Sequence, residues 1–152
     1  MSRGAGVPGA NRTLRRLQRH PGAVIVLVDA ANVVGSRPDG WWRDRAGATT
    51  RLLTAAGSLT GRSVTTPDGA DGVVAEVVAV VEGRARDVAA PDGVRVRRAA
   101  GSGDDDIAAE AGALAAAGER VLVVTADRGL RARLPAGSEV AGPGWFRDLI
   151  GA

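Results

Sequence analysis

The sequence predicts an α/β fold, a three-layer α/β/α sandwich around a mostly parallel five-stranded sheet. Two observations carry this. Val24-Ile25-Val26-Leu27-Val28 and Val121-Leu122-Val123-Val124 are continuously apolar and rich in β-branched residues, the pattern of central strands covered on both faces. Segments of helical spacing alternate with such runs, which calls for parallel strands joined by crossover helices. At 152 residues the chain suits one domain with one core.

The first strand is Val24 to Val28, closed by Asp29. Arg43 to Ala56 is the first helix, with Ala46, Leu52, Leu53 and Ala56 on one side and Gly57 as its stop. The second strand lies within Val73 to Val81; Glu76 is expected where it begins, Val77 to Val81 form its buried part, and Glu82 ends it. Val94-Arg95-Val96-Arg97 alternates and belongs nearer a sheet edge. The stretch from Gly83 to Gly93 between these strands leaves room for a short crossover helix or none. Asp104 to Ala117 is a helix with Ile107, Ala111 and Leu114 spaced i, i+4, i+7. Val121 to Val124 is the fourth strand. Arg128 to Leu134 is a short helix stopped by Pro135, Glu139 to Ala141 a weak fifth strand, and Trp145 to Ile150 a terminal helix that buries Trp145 and Phe146.

Composition narrows the chemistry. The chain has no Cys, no Tyr, one His (His20) and no Lys, so all 20 basic residues are Arg. Disulfides, Cys nucleophiles, Cys/His zinc sites, Lys Schiff bases and the lysine phosphate loop are thereby excluded. Seventeen acids remain, and carboxylates without imidazole suit hard cations such as Mg²⁺ or Mn²⁺. Five Arg and no acid fall in residues 1–20, so residues 1–21 read as a basic arm on a single domain of residues 22–152, suited to a polyanion or merely solvated. His20, before Pro21 in that arm, reads as solvated. The run Ala23 to Val28 is too short for a signal core or a membrane span, which makes the expected location cytoplasmic.

Ligands of such sheets bind beyond the carboxyl ends of the strands. Four connections deliver acids there: Asp29 with Asn32 one turn on, Glu82, the Asp104-Asp105-Asp106 triplet opening a helix, and Asp127 after Thr125. Singly, Asp127 can cap its helix, and Ser102 with Asp105 matches a capping box. Together, four or five carboxylates repel unless neutralised. A divalent cation would do so, and Arg partners such as Arg128 are the rival. Neighbouring helical residues point about 100° apart, so Asp104, three before the buried Ile107, is expected to face the site and Asp106 to face outward. Asp105 could support or join the ligand set.

Spacing argues against a receiver domain, which needs a Lys, a haloacid-dehalogenase-type phosphatase, which needs Asp-x-Asp after its first strand, and a toprim-type site, which needs Glu there. The order Asp29-x-x-Asn32, then Gly-Ser-Gly-Asp104-Asp-Asp-Ile107, then Val-Val-Thr125-Ala-Asp127-Arg128 resembles the NYN branch of the PIN-like nucleases over roughly residues 22–150. The resemblance implies strand order 3-2-1-4-5 and metal-dependent cleavage of RNA leaving a 5′-phosphate and a 3′-hydroxyl. It implies Asp29, Asp104 and Asp127 as metal-binding acids, with Asn32 and Thr125 beside them. The middle acid of many PIN domains has no clear equivalent, and Glu82 or Asp44 would have to serve. Arg37, Trp41, Trp42, Arg43 and Arg128 could hold single-stranded RNA, although one of the Trp pair is expected to plug the core. Two other functions use the same residues: an RNA-binding module with a structural cation, and a nucleotide phosphohydrolase.

Overall fold

The computed structural model describes residues 20–152, so the expected basic arm of residues 1–21 lies almost wholly outside the described residues. The fold is α/β, with one six-stranded sheet. Strand β1 (Ala23–Asp29) is central, flanked in parallel by β3 (Asp71–Val81) and β5 (Val121–Val124). Strand β4 (Val94–Arg98) runs parallel to β3, and β6 (Glu139–Ala141) parallel to β5.

The sheet is mixed, against the mostly parallel one expected, and its order differs from 3-2-1-4-5. A sixth strand, β2 (Ser63–Thr65), pairs antiparallel with the start of β3, from Ser63 opposite Val73 to Thr65 opposite Asp71. It shares one edge of β3 with β4, which takes the later residues Val77 to Val81. The turn is Thr66-Pro67-Asp68-Gly69-Ala70: Pro presets its φ, Asp68 accepts from the Thr66 hydroxyl and the Ala70 N–H, and Gly69 sits at φ +89°. Strand β3 therefore starts before Glu76 rather than at it. A bulge there pairs Val24 with Val74 but Ile25 with Glu76. The extra residue restores the inward face for Val77, and Glu76 reaches the Arg95 guanidinium at 3.2 Å.

Alternation along β1 divides the core. Val24, Val26 and Val28 face a layer of α1 (Ala30–Gly35), α2 (Arg45–Ala56) and α5 (Pro143–Ile150), which contribute Val33, Leu52, Leu53 and Phe146. Ile25 and Leu27 face α3 (Gly103–Ala116) and α4 (Arg128–Ala132) through Ile107, Ala111 and Leu130. Helix α1 was not expected from the sequence. Helix α2 starts at Arg45 rather than Arg43, because Asp44 caps it by accepting from the Gly47 N–H at 2.9 Å and Trp41–Arg43 form a separate 3-10 turn. Residues 83–93 hold only a 3-10 turn, Gly83–Ala85. Helix α4 ends at Ala132, short of Leu134, and α5 begins two residues before Trp145, with Pro143 in its first turn. Phe146 is fully buried and Trp145 packs partly exposed against the same cluster. Among the described residues no helix is long and apolar enough to cross a membrane.

Candidate functional site

Because β1, β3, β4 and β5 are parallel, their carboxyl ends share one edge, and the residues just past them meet there. Asp29 closes β1, Glu82 follows β3, Asp104 lies in the first turn of α3 after β4, and Asp127 follows β5. Val28 is level with Val124, so Asp29 and Thr125 are neighbours on adjacent strands. The Thr125 hydroxyl donates to Asp29 Oδ2 at 2.9 Å, and Asp29 Oδ1 accepts from the Asn32 N–H at 3.3 Å, capping α1.

The bracing extends to Asp127. Its N–H donates to Thr125 Oγ1 at 3.1 Å, and its Oδ1 caps α4 by accepting from the Leu130 N–H at 2.9 Å. The Asn32 side-chain oxygen accepts from the Ala126 N–H at 2.8 Å, tying α1 to the same loop. Arg131 donates twice to the Thr125 carbonyl, at 3.0 and 2.6 Å. Thr125 is fully buried and Asp29 only 6% exposed, so the carboxylate has one fixed orientation.

Electrostatically this edge carries an excess of negative charge. Burial raises the Asp29 carboxyl from the usual 3.8 to about 6, against the lowering effect of its Thr125 and Asn32 hydrogen bonds, and the charges of Asp104 and Glu82 add to the rise. Burial followed by the charges of Asp127 and Glu82 raises Asp104 as well, with Arg133 offsetting only part. Among the described residues no Arg forms an ion pair with Asp29, Asp104 or Asp127. Arg128, the rival neutraliser, is exposed and pairs with none of them.

The other acids have different partners. Asp105 pairs with Arg133 at 2.7 Å with its side chain 74% exposed. Asp106, expected to face outward, is turned to β4 instead, its side chain 23% exposed and paired with Arg97 at 2.9 Å. Glu82 accepts from the Gly103 N–H and caps α3. A β-carbon on Gly103 would lie 2.8 Å from that carboxylate oxygen, so a larger residue there would displace the Glu82 carboxylate from the N–H it accepts. Ser102 caps α3 as well, accepting from the Asp104 N–H at 3.3 Å, while Asp105, its expected partner in a capping box, is paired with Arg133 instead. Asp44 caps α2 through the Gly47 N–H.

Among the described residues no group of three or more acidic or His side chains is placed to hold one metal ion. The acids share an edge without closing on a point. Relief of their repulsion should be measurable: Asp104→Asn and Asp127→Asn should each raise the melting temperature in EDTA at neutral pH. For these partly exposed groups the gain should be modest, about 1 kcal/mol or less. Asn keeps the α4 cap at position 127, so lower melting temperatures for both would show that each carboxylate is structurally neutralised.

Of the residues suggested for RNA, Arg37, Trp42, Arg43 and Arg128 are exposed. Trp41 instead packs against the core while its edge meets Trp42, ring centroids 5.9 Å apart. Arg43 lies over Trp42 at 5.7 Å and Arg45 over Trp41 at 5.2 Å. Arg45 flanks the Trp pair in the sequence as well; the sequence reading missed Arg51, Arg131 and Arg147. The position of Arg131 three residues beyond Arg128 on a short helix was the one available signal; the others converge only in three dimensions.

No family model matches the sequence, and no curated protein matches it. Among solved structures the chain is similar to a mutant of Rae1 (YacP) from Bacillus subtilis, with a TM-score of 0.55 and 17% identity, over 84% of this chain and 74% of that one. At that identity the likeness is one of fold: the chain shares its α/β architecture with Rae1.

Proposed function

We propose that the protein is a divalent-cation-dependent nuclease that hydrolyses RNA phosphodiesters at the edge formed by Asp29, Asp104 and Asp127. One observation carries the reading. Asp29 is buried, held by hydrogen bonds to both oxygens, and flanked by further acids with no described cation paired to it. A capping residue needs neither the burial nor the company. The motif order that resembles the NYN branch and the fold shared with Rae1 support the same reading.

The donor set fits a hard cation. It is all oxygen and carries surplus negative charge. Mg²⁺ is commonly held by one or two carboxylates, with water and substrate phosphate completing its shell, rather than by an all-protein cage. The absence of a three-acid group among the described residues is compatible with such an incomplete site. Asp29 and Asp104 would hold the ion, with Asp127 contributing the oxygen that does not cap α4; Glu82 is left as the cap of α3 and Asp105 as the partner of Arg133. When bound, the cation supplies charge neutralisation on the phosphate and activation of the attacking water. Thr125 and Asn32 keep the Asp29 carboxylate from turning away, and the exposed Trp42 with Arg37, Arg43 and Arg128 meets unpaired bases and phosphates.

Metal and substrate can be tested together. Mn²⁺ should raise the melting temperature of the wild-type protein, by about 2.7 kcal/mol of stability at a hundred times its dissociation constant. Single-stranded RNA should be cut in its presence and not in EDTA, while a mononucleotide phosphoester is left intact. Hydrolysis of the mononucleotide alone would make the protein a phosphohydrolase. Retention of uncut RNA with Mn²⁺ present would make it a binding module.

A further inference from the structure

A second cluster of charge lies at the other end of α1, and it has the opposite sign. A cavity of about 240 Å³ is bordered by Arg37, Arg51 and Arg147 and walled by Val34, Trp41 and Leu52. The three arginines come from three places: the loop after α1, the middle of α2 and helix α5. Among the described residues none of the three forms an ion pair. Asp39 is the one acid lining the cavity. Arg147 is anchored from below, its Nη2 donating to the Val33 carbonyl at 2.9 Å and its Nε to Ser36 Oγ at 3.3 Å. Arg37 donates to the Ala152 carbonyl at 2.8 Å. Burial and then the charge of Arg37 hold the Arg147 guanidinium below its ordinary value, offset in part by Asp39. Three arginine side chains thus line one cavity against a single acidic side chain, Asp39.

We propose that this pocket is a phosphate subsite for the RNA strand, in which Arg37, Arg51 and Arg147 grip a backbone phosphate away from the scissile bond. The proposal rests on the nuclease reading and extends it to how substrate is held. Guanidinium groups are the preferred partners of phosphate oxygens, through paired N–H donors. From Asp29 at the start of α1 to Ser36 at its end is seven residue steps, about 10 Å. A stacked strand advances about 3.4 Å per nucleotide, so the gripped phosphate lies about three nucleotides from the cut. The ground between is not bare: a second cavity of about 220 Å³ lies along α1, lined among others by Ala31, Trp41, Arg45 and Glu82. Trp41 is a wall of both cavities, so one strand can run from the acid edge past this ring to the arginines.

Binding measured in EDTA isolates the grip from the chemistry. Fluorescence anisotropy with single-stranded RNA of about a dozen nucleotides, at several salt concentrations, should give a slope of log affinity against log salt that falls by about 0.7 in the Arg37→Gln/Arg51→Gln double variant, the share of one phosphate on a single strand. Arg51→Gln alone, at an exposed residue with no described hydrogen bond, should weaken binding without lowering the melting temperature. Arg62→Gln, which removes the same charge away from the cavity, should leave the slope unchanged. With Mn²⁺, Arg51→Gln should show a higher KM on the long RNA at similar kcat, and unchanged cleavage of a dinucleotide too short to reach the pocket. An unchanged slope in the double variant, or an equal fall with Arg62→Gln, overturns the subsite while leaving the nuclease reading standing. A wild-type protein that neither binds nor cuts RNA overturns both.

Discussion

Asp29→Asn should abolish RNA cleavage and, in EDTA at neutral pH, make the protein more stable. Both effects have one cause, a carboxylate kept at an unfavourable place for the sake of its charge. Burial raises its pKa from 3.8 to about 6, so the folded chain binds that proton more tightly than the unfolded one does. The stabilisation from this tighter binding is fully present below about pH 3.8, declines as pH rises, and is gone once pH passes about 6. At 1.36 kcal/mol per unit the whole effect is about 3 kcal/mol. Asn does not titrate, and it keeps one acceptor for Asn32 or Thr125 while losing the other, at a cost of about 1 kcal/mol. The variant should therefore gain about 1–3 kcal/mol above pH 6, with the gain shrinking to nothing near pH 4. Melting curves in EDTA across that range check it. A variant less stable than wild type at pH 7 would mean that the charge of Asp29 is already compensated in the metal-free protein.

Thr125→Val is expected to have the next largest effect, with the opposite sign on stability. The buried hydroxyl makes two bonds at once, donating to Asp29 Oδ2 and accepting from the Asp127 N–H. Val has nearly the same shape and makes neither, leaving polar groups on two strand ends without partners at about 1–3 kcal/mol for each buried one. Cleavage should fall about 10–100-fold, as when a residue orienting a metal ligand is lost. Without the donor that favours its charged form, Asp29 should titrate at higher pH, moving the acid limb of the pH–rate profile upward. Thr125→Ser, which keeps the hydroxyl, should restore most of the rate. A residue that only packs would lower stability without moving the profile.

Much of this site was legible because its acids sit beside strands that are themselves unmistakable. Five apolar residues in a row before Asp29 and four before Thr125 locate both strand ends within a residue, and a parallel arrangement then brings those ends to one edge. The hairpin was missed: Thr66-Pro67-Asp68-Gly69 carries turn residues, but β2 is only three residues long and alternation over so short a span does not stand out. The bulge at Ala75 leaves no local mark; it follows from keeping both Val74 and Val77 on one face of the sheet. Helix α1 is too short for periodicity to show. The Asp triplet divided otherwise than expected: Asp105 is the exposed member and pairs with Arg133, 28 residues on, while Asp106 turns to Arg97 on β4, and both pairings depend on tertiary contact. The arginine pocket was hidden for the same reason, since Arg37, Arg51 and Arg147 are far apart in sequence. In a chain whose every basic residue is Arg, composition does not single out the three that converge.

The most direct measurement is a cleavage assay with end-labelled single-stranded RNA and Mn²⁺, run for wild type and for Asp29→Asn purified alongside it. The expected result is cutting by the wild type that leaves 5′-phosphate ends, stops with EDTA and returns when Mn²⁺ is restored, with no cutting above background by the variant. Equal cutting by both proteins, or a wild type that leaves RNA intact whatever divalent cation is supplied, would contradict the proposal that this acid edge is a nuclease site.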